Sequence, residues 1–252
     1  MPGFIMTHMP FLSPVNGQVH RMHCKCPQGS YFWNLYMDTP DGTFRINTPQ
    51  SPQSVHIFPT FWQDENGIHG SYVNGNGNTE PEMMYRLYRI EAPDMETFIH
   101  APTVTQVMAV HIAHISPLGL AYGSMLKDHG KLRIRYDNHP HQDYIIPGGH
   151  LHNLNYRADA PHILLMTGST VGNIDDIWTV HLNIITGTQY HLTCDDEPAY
   201  KITQLAGRFQ YAHRLEGGQY QDRTIYEANR ITYTPCEILQ PIPVTNPEPA
   251  QT

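Results

Sequence analysis

The sequence predicts an all-β fold, a β-propeller with five blades in a single domain, with a β-sandwich or jelly roll as the alternative. Three observations carry this expectation. A short apolar segment, usually with a histidine near its start, recurs about every 50 residues, a period typical of propellers and other arrays. The copies are Val19-His20-Arg21-Met22, Val55-His56-Ile57-Phe58, Val110-His111-Ile112-Ala113, Pro161-His162-Ile163-Leu164 and, more loosely, Gln210-Tyr211-Ala212-His213. No window places apolar residues at i, i+3, i+4 and i+7 between helix caps. Gly, Asn, Asp and Pro divide the chain into β-prone runs of strand length.

The first blade starts at about Gln18, with strands over 31–37 and 43–47 joined by Thr39-Pro40-Asp41-Gly42, where Pro presets φ and Gly accepts a positive φ. The second is a hairpin, 55–62 and 68–73 around Asp64-Glu65-Asn66-Gly67, followed by a polar loop over 74–78 and a strand over 83–90. The third takes 107–115, 120–125 and 132–136. The fourth takes 162–167, 177–184 and 190–194. The fifth takes 209–215, 224–228 and 230–234. Several blades lack an obvious fourth strand, for which 97–103 and 143–147 are weaker candidates. Residues 1–17 read as an N-terminal arm, 18–239 as the propeller and 240–252 as a proline-rich tail.

Hydrophobic residues make up 40% of the 252, enough for a sizeable core, while charged residues are only 15%, low for a globular chain. The formal charge of −8 and the absence of a basic stripe argue against nucleic acid as a partner. Four cysteines are too few for a disulfide scaffold. No apolar run reaches membrane-span length, so membrane insertion is not expected. Residues 1–14 lack the basic and continuous apolar regions of a signal peptide.

In the second blade, Phe58-Pro59-Thr60-Phe61-Trp62-Gln63-Asp64-Glu65-Asn66-Gly67 leads into Ser71-Tyr72-Val73-Asn74-Gly75-Asn76-Gly77-Asn78 and then Tyr85-Arg86-Leu87-Tyr88-Arg89. Across residues 55–90 this resembles the BNR-repeat, sialidase-like propellers, in particular the branch containing ulvan-type polysaccharide lyases. The resemblance implies a polysaccharide or glycan ligand. It also implies β-elimination, in which a His or Tyr removes the proton beside a uronate carboxylate, an Arg neutralises that carboxylate and a Tyr or His protonates the leaving oxygen.

Several constellations supply suitable groups. Imidazole is neutral near pH 7 and serves as base or metal ligand. The matched histidines His56, His111 and His162, with His20 as a fourth, would converge if each lay on an innermost strand. His111 or His162 is then the candidate base, Tyr211 or Tyr122 the acid, and Arg214 the carboxylate partner. Expected substrate contacts are His56, Trp62, Tyr72 and Tyr144, with His150 and His152 from a polar segment between blades. Aromatic rings offer rigid apolar area for a sugar. Asp64, Asp175 and Asp176 are the acids best placed for a hydrolytic pair. His20, Cys24 and Cys26 share a strand face and are candidate ligands for zinc or another divalent metal.

These readings favour a carbohydrate-active or carbohydrate-binding propeller, with lyase chemistry ahead of hydrolysis, in an extracellular or particle-associated setting. The competing expectation is a structural propeller of a virion, tail fibre or other assembly, built as a homo-oligomer or larger particle.

Overall fold

The computed structural model describes residues 7–26, 32–49, 55–75, 85–110, 112–124, 130–137, 141–170, 173–194, 197–198, 200–205, 208–214, 220–225 and 231–243. Within these, side chains are described except at 7–10, 124, 149–150, 170, 173–177 and 194–225. The fold is an all-β propeller of small antiparallel sheets with one short helix.

Sheet one runs β1 (Thr7–Val15), β2 (Gln18–Lys25), β3 (Asn34–Thr39), β4 (Gly42–Arg45). Sheet two holds β5 (Val55–Asp64), β6 (Gly67–Gly75), β7 (Tyr85–Ala92) and, after helix α1 (Met95–His100), β8 (Thr103–Ala109). Sheet three holds β9 (Ile112–Ser116), β10 (Gly119–Ser124), β11 (Lys131–Tyr136) and β12 (Gln142–Ile145). Sheet four holds β13 (His150–Arg157), β14 (Ala160–Thr170), β15 (Asn173–Asn183), β16 (Gln189–Cys194) and β17 (Glu197–Pro198). These four are the blades. The sequence period predicted five blades of four strands. The fifth set of strands, β18 (Tyr200–Leu205), β19 (Arg208–Arg214) and β20 (Tyr220–Ile225), forms a three-stranded sheet instead. The chain then returns. β21 (Ile231–Pro235) pairs with β16, and β22 (Gln240–Ile242) pairs with β12, so one segment clasps the outer edges of two blades. Gln189 reinforces the clasp: its amide donates to Leu239 O at 2.6 Å and accepts from Leu239 N at 2.8 Å.

Sheets meet through their first strands, β1 against β5, β5 against β9, and β9 against β13, which places those strands innermost. The arm expected over 1–17 therefore contains the innermost strand of blade one. Pro10 and Pro14 hid it, because proline removes a ladder donor; Pro10 falls where the β1–β2 register shifts, between His8 and Phe11. The segment expected as a loop before blade four is likewise its first strand, β13. Gln240–Ile242, expected in the tail, is a strand of sheet three.

Local sequence explains much of the rest. In β11, Leu132, Ile134 and Tyr136 point into the core while Lys131, Arg133 and Arg135 are only half-buried, the period of a half-buried strand. β9 is buried along its whole length, as its run Ile-Ala-His-Ile-Ser between two blades requires. Helix α1 replaces part of the strand anticipated over 97–103. Asp94 caps it by accepting from Thr97 N at 2.7 Å, and Phe98 and Ile99 are buried. The Phe58-Pro59 motif forms a bulge: register shifts between Ile57 and Thr60, and Phe58 sits at φ +53. Beyond it, Thr60 Oγ1 donates to Ile115 O at 2.9 Å and Ser71 Oγ accepts from Ile115 N at 3.0 Å, tying blade two to blade three.

At the centre, one ring from each innermost strand of the four blades meets its neighbours. Phe11 lies 5.9 Å from Phe61 and 4.8 Å from Tyr156, and His114 lies 5.4 Å from Tyr156. All four are buried. Tyr156 OH donates to Phe61 O at 3.2 Å. Among the described residues the axis is filled by side chains.

Candidate functional site

Among the described residues the expected ring of histidines does not form. His56 lies on an innermost strand, whereas His20 and His162 lie on the second strands β2 and β14, and Tyr211 and His213 on the second strand β19. Equal spacing in sequence thus marked unequal places in the blades. His111 is outside the described residues. Among the described residues, the histidine at the axis is His114. Neither of its ring nitrogens reaches hydrogen-bond geometry, and burial pushes its pKa down to about 4, against a small opposing pull from the Leu154 backbone.

The other expected site residues are placed as follows. Tyr122 is half-buried on β10, packed on the Ile57, Val73 and Ala113 cluster between blades two and three. His162 is half-buried in blade four. Tyr122 and His162 are therefore in different blades. The side chains of Tyr211, Arg214, His150, Asp175 and Asp176 lie outside the described residues. His56 is fully buried and structural: its Nδ1–H donates to Trp33 O at 2.7 Å and its Nε2 accepts from Thr48 Oγ1 at 2.9 Å. Tyr72 and Tyr144 are buried, and burial raises both phenols above their ordinary value. His152 is half-buried and pairs with Ser169 Oγ at 2.7 Å. Cys24 is buried, with its thiol pushed well up by burial, and Cys26 is half-buried. His20 and Cys24 are four positions apart on β2, about 13 Å at strand rise, too far for one metal ion to bridge. Among the described residues, no three His, Cys, Asp or Glu side chains come together to hold a metal.

Trp62 alone among the expected binding aromatics carries polar groups around an accessible ring. It lies near the end of β5, on the face opposite Phe61 and toward blade three. The hairpin sets its surroundings. Trp62 pairs across with His69, and His69 with Glu91, so the three form one row over three strands. The Trp62 and His69 rings stack at 5.3 Å and 22°. His69 Nε2 is 3.0 Å from Asp64 Oδ1, and a carboxylate only accepts, so Nε2 carries the proton. Its Nδ1 faces Glu91 Oε1 at 3.7 Å, and Arg89 Nη1 lies 3.8 Å from the same oxygen. Asp64 feels an upward push from desolvation. Hydrogen bonds from Asn66 N–H at 2.7 Å and from His69 outweigh it, and the carboxyl is held below its ordinary value.

Asp64, Glu91 and Arg89 keep close to half of their side-chain surface exposed. The row therefore joins a flat aromatic pair to an acceptor on each side and a planar cation. Sequence reading found Trp62 and Asp64 but missed His69, Glu91 and Arg89. The Asp64-Glu65-Asn66-Gly67 turn already fixed Trp62 opposite His69, so the signal lay in hairpin register. No protein-family model and no curated protein matches the chain.

Proposed function

We propose that the protein binds carbohydrate, with uronate-containing glycans as the preferred class, at the Trp62 row. The observation that carries this reading is the Trp62–His69 pair, edged by Asp64, Glu91 and Arg89. A sugar ring lies against the exposed part of the indole. Its hydroxyls donate to Asp64 and Glu91, and the uronate carboxylate meets the Arg89 guanidinium, which favours planar anions. The likeness of residues 55–90 to glycan-directed propellers supports the same class. Binding comes before catalysis in this reading, because the Trp62 row holds none of the residues expected to act as base or acid in the elimination.

Calorimetric titration with oligouronates and with neutral oligosaccharides tests it. Saturable binding of the uronate series, lost in Trp62→Ala and weakened in Arg89→Gln, is expected. Absence of binding to either series, or binding that Trp62→Ala leaves intact, would remove the proposal. Growth of ultraviolet absorbance from an unsaturated product would turn binding into lyase activity.

We also read the three-stranded sheet as a fifth blade. It follows blade four in the chain, and β18 packs both on β13–β15 and on β1. Amide exchange as slow over 200–225 as over 150–194 is expected, and rapid exchange throughout 200–225 would refute it.

A further inference from the structure

Blade three adds a second charged wall to the cleft that holds Trp62. In β11 the alternation that buries Leu132, Ile134 and Tyr136 turns Lys131, Arg133 and Arg135 to the other face. That face is shared by Leu120 and Tyr122, which pair with Arg135 and Arg133 and pack against blade two. One acid of β11 and β12 stands there, Asp143, across from Arg133. Its Oδ2 lies 3.2 Å from Arg133 Nε, and its Oδ1 accepts from Arg135 Nη1 at 3.2 Å. Three cations against one carboxylate make a net positive wall, on a chain whose formal charge is −8. Arg135 Nη1 also donates to Ile134 O at 3.4 Å. Among the described residues its Nε and Nη2 meet no acceptor, and neither is shut away from water, since the side chain is 30% exposed.

We propose that Arg135 binds a second carboxylate of the same glycan, so that the ligand is a run of consecutive uronates bridging blades two and three. This rests on the glycan reading of the Trp62 row. Strand register sets Arg135 across the cleft from Arg89. The two blades touch at Ile115, whose backbone is bonded to Thr60 and Ser71. From that contact, Ser71 pairs outward with Arg89. On the other side Ile115 pairs outward with Leu120, and Leu120 with Arg135. Each arginine thus stands on the third strand of its blade, in rows that start from one point, and both side chains keep contact with solvent. A guanidinium is a planar fork with five donors that matches a carboxylate edge. Asp143 holds Arg135 by one nitrogen and leaves its other donors for a ligand. One uronate beside Trp62 would satisfy Arg89 alone, whereas successive carboxylates along a chain meet both arginines.

The test is calorimetric titration of the full chain with tetragalacturonate and with a neutral tetrasaccharide carrying one terminal uronate. The wild type should bind the fully charged chain about tenfold or more tightly than the singly charged one. Arg135→Gln should erase that difference. Asp143 keeps Arg133 as its partner, so this variant should melt like the wild type. Asp143→Asn acts in the opposite direction. It neutralises the carboxylate that competes for Arg133 and Arg135, and should tighten tetragalacturonate binding several-fold, a gain that a purely structural ion pair would not give. Equal affinities for the two ligands in the wild type, a difference that survives Arg135→Gln, or no gain in Asp143→Asn would each overturn the proposal. Trp62→Ala should abolish binding of both ligands. If neither ligand binds the wild type, the glycan reading falls and takes this inference with it; Trp62-dependent binding with equal affinities removes the second carboxylate alone.

Discussion

Replacing His114 with leucine should flatten the acid limb of the stability profile. In the unfolded chain the imidazole takes up a proton near its ordinary value of 6.5, whereas the buried ring resists until about pH 4. Between those values the unfolded state binds more protons. The fold is therefore most favoured above pH 6.5 and loses that advantage as pH falls toward 4. Each pH unit across the gap is worth about 1.4 kcal/mol, so the single ring accounts for about 3 kcal/mol. His114 is completely buried, so solvent screening takes little from this figure. Leucine fills a similar volume without a titrating group, so the variant should fold. Urea unfolding from pH 7.5 to 4.5 measures the difference. The wild-type curve should fall more steeply than the variant by up to one proton's slope. Residual slope in the variant is expected from His181. Burial and the charge of Arg157 outweigh its backbone contact and also bring it to about 4. Parallel curves for the two proteins would refute a neutral, proton-resisting ring at the axis.

Other outcomes follow from close contacts. Gly70→Ala would set a Cβ 2.9 Å from both Thr60 O and Phe98 Cζ, so α1 or β5 must shift. A loss of about 1–3 kcal/mol is expected, read by thermal unfolding, and an unchanged melting point would contradict the packing of α1 on blade two. Gln189→Ala removes both bonds to Leu239 and should cost about 1–3 kcal/mol, with faster amide exchange at Leu239; unchanged exchange there would show that the clasp does not depend on the amide. Tyr156→Phe should cost about 1 kcal/mol through the lost bond to Phe61 O, measured by urea unfolding, and no change would argue against that bond.

The strand content and most hairpins were legible because alternation and turn chemistry are local. Leu132, Ile134 and Tyr136 announced their face, and Asp64-Glu65-Asn66-Gly67 announced its turn. Blade phase was not legible. A strand looks alike whether it is first or second in a blade, and the copies of the repeat at His20 and His162 lie on the second strands β2 and β14, while proline-bearing β1 and polar β13 are innermost. The axial ring escaped for the same reason: Phe11, Phe61, His114 and Tyr156 share no motif, only a position. Helix α1 escaped because six residues are too few to show a period. At the candidate site, Trp62 was legible as an aromatic, whereas Glu91 and Arg89 acquired meaning only through cross-strand register.

The clasp has a consequence for synthesis. Gln142 on β12 waits for Ile242, 100 residues downstream, before its edge is paired. At ribosomal speed that is about 5–20 s. Throughout that interval blade three presents a bare strand edge to every other nascent chain, the kind of edge that recruits partners indiscriminately. The segment that fastens the finished ring therefore also sets how long it must be shielded, and slower translation through 146–242 should favour aggregation over yield.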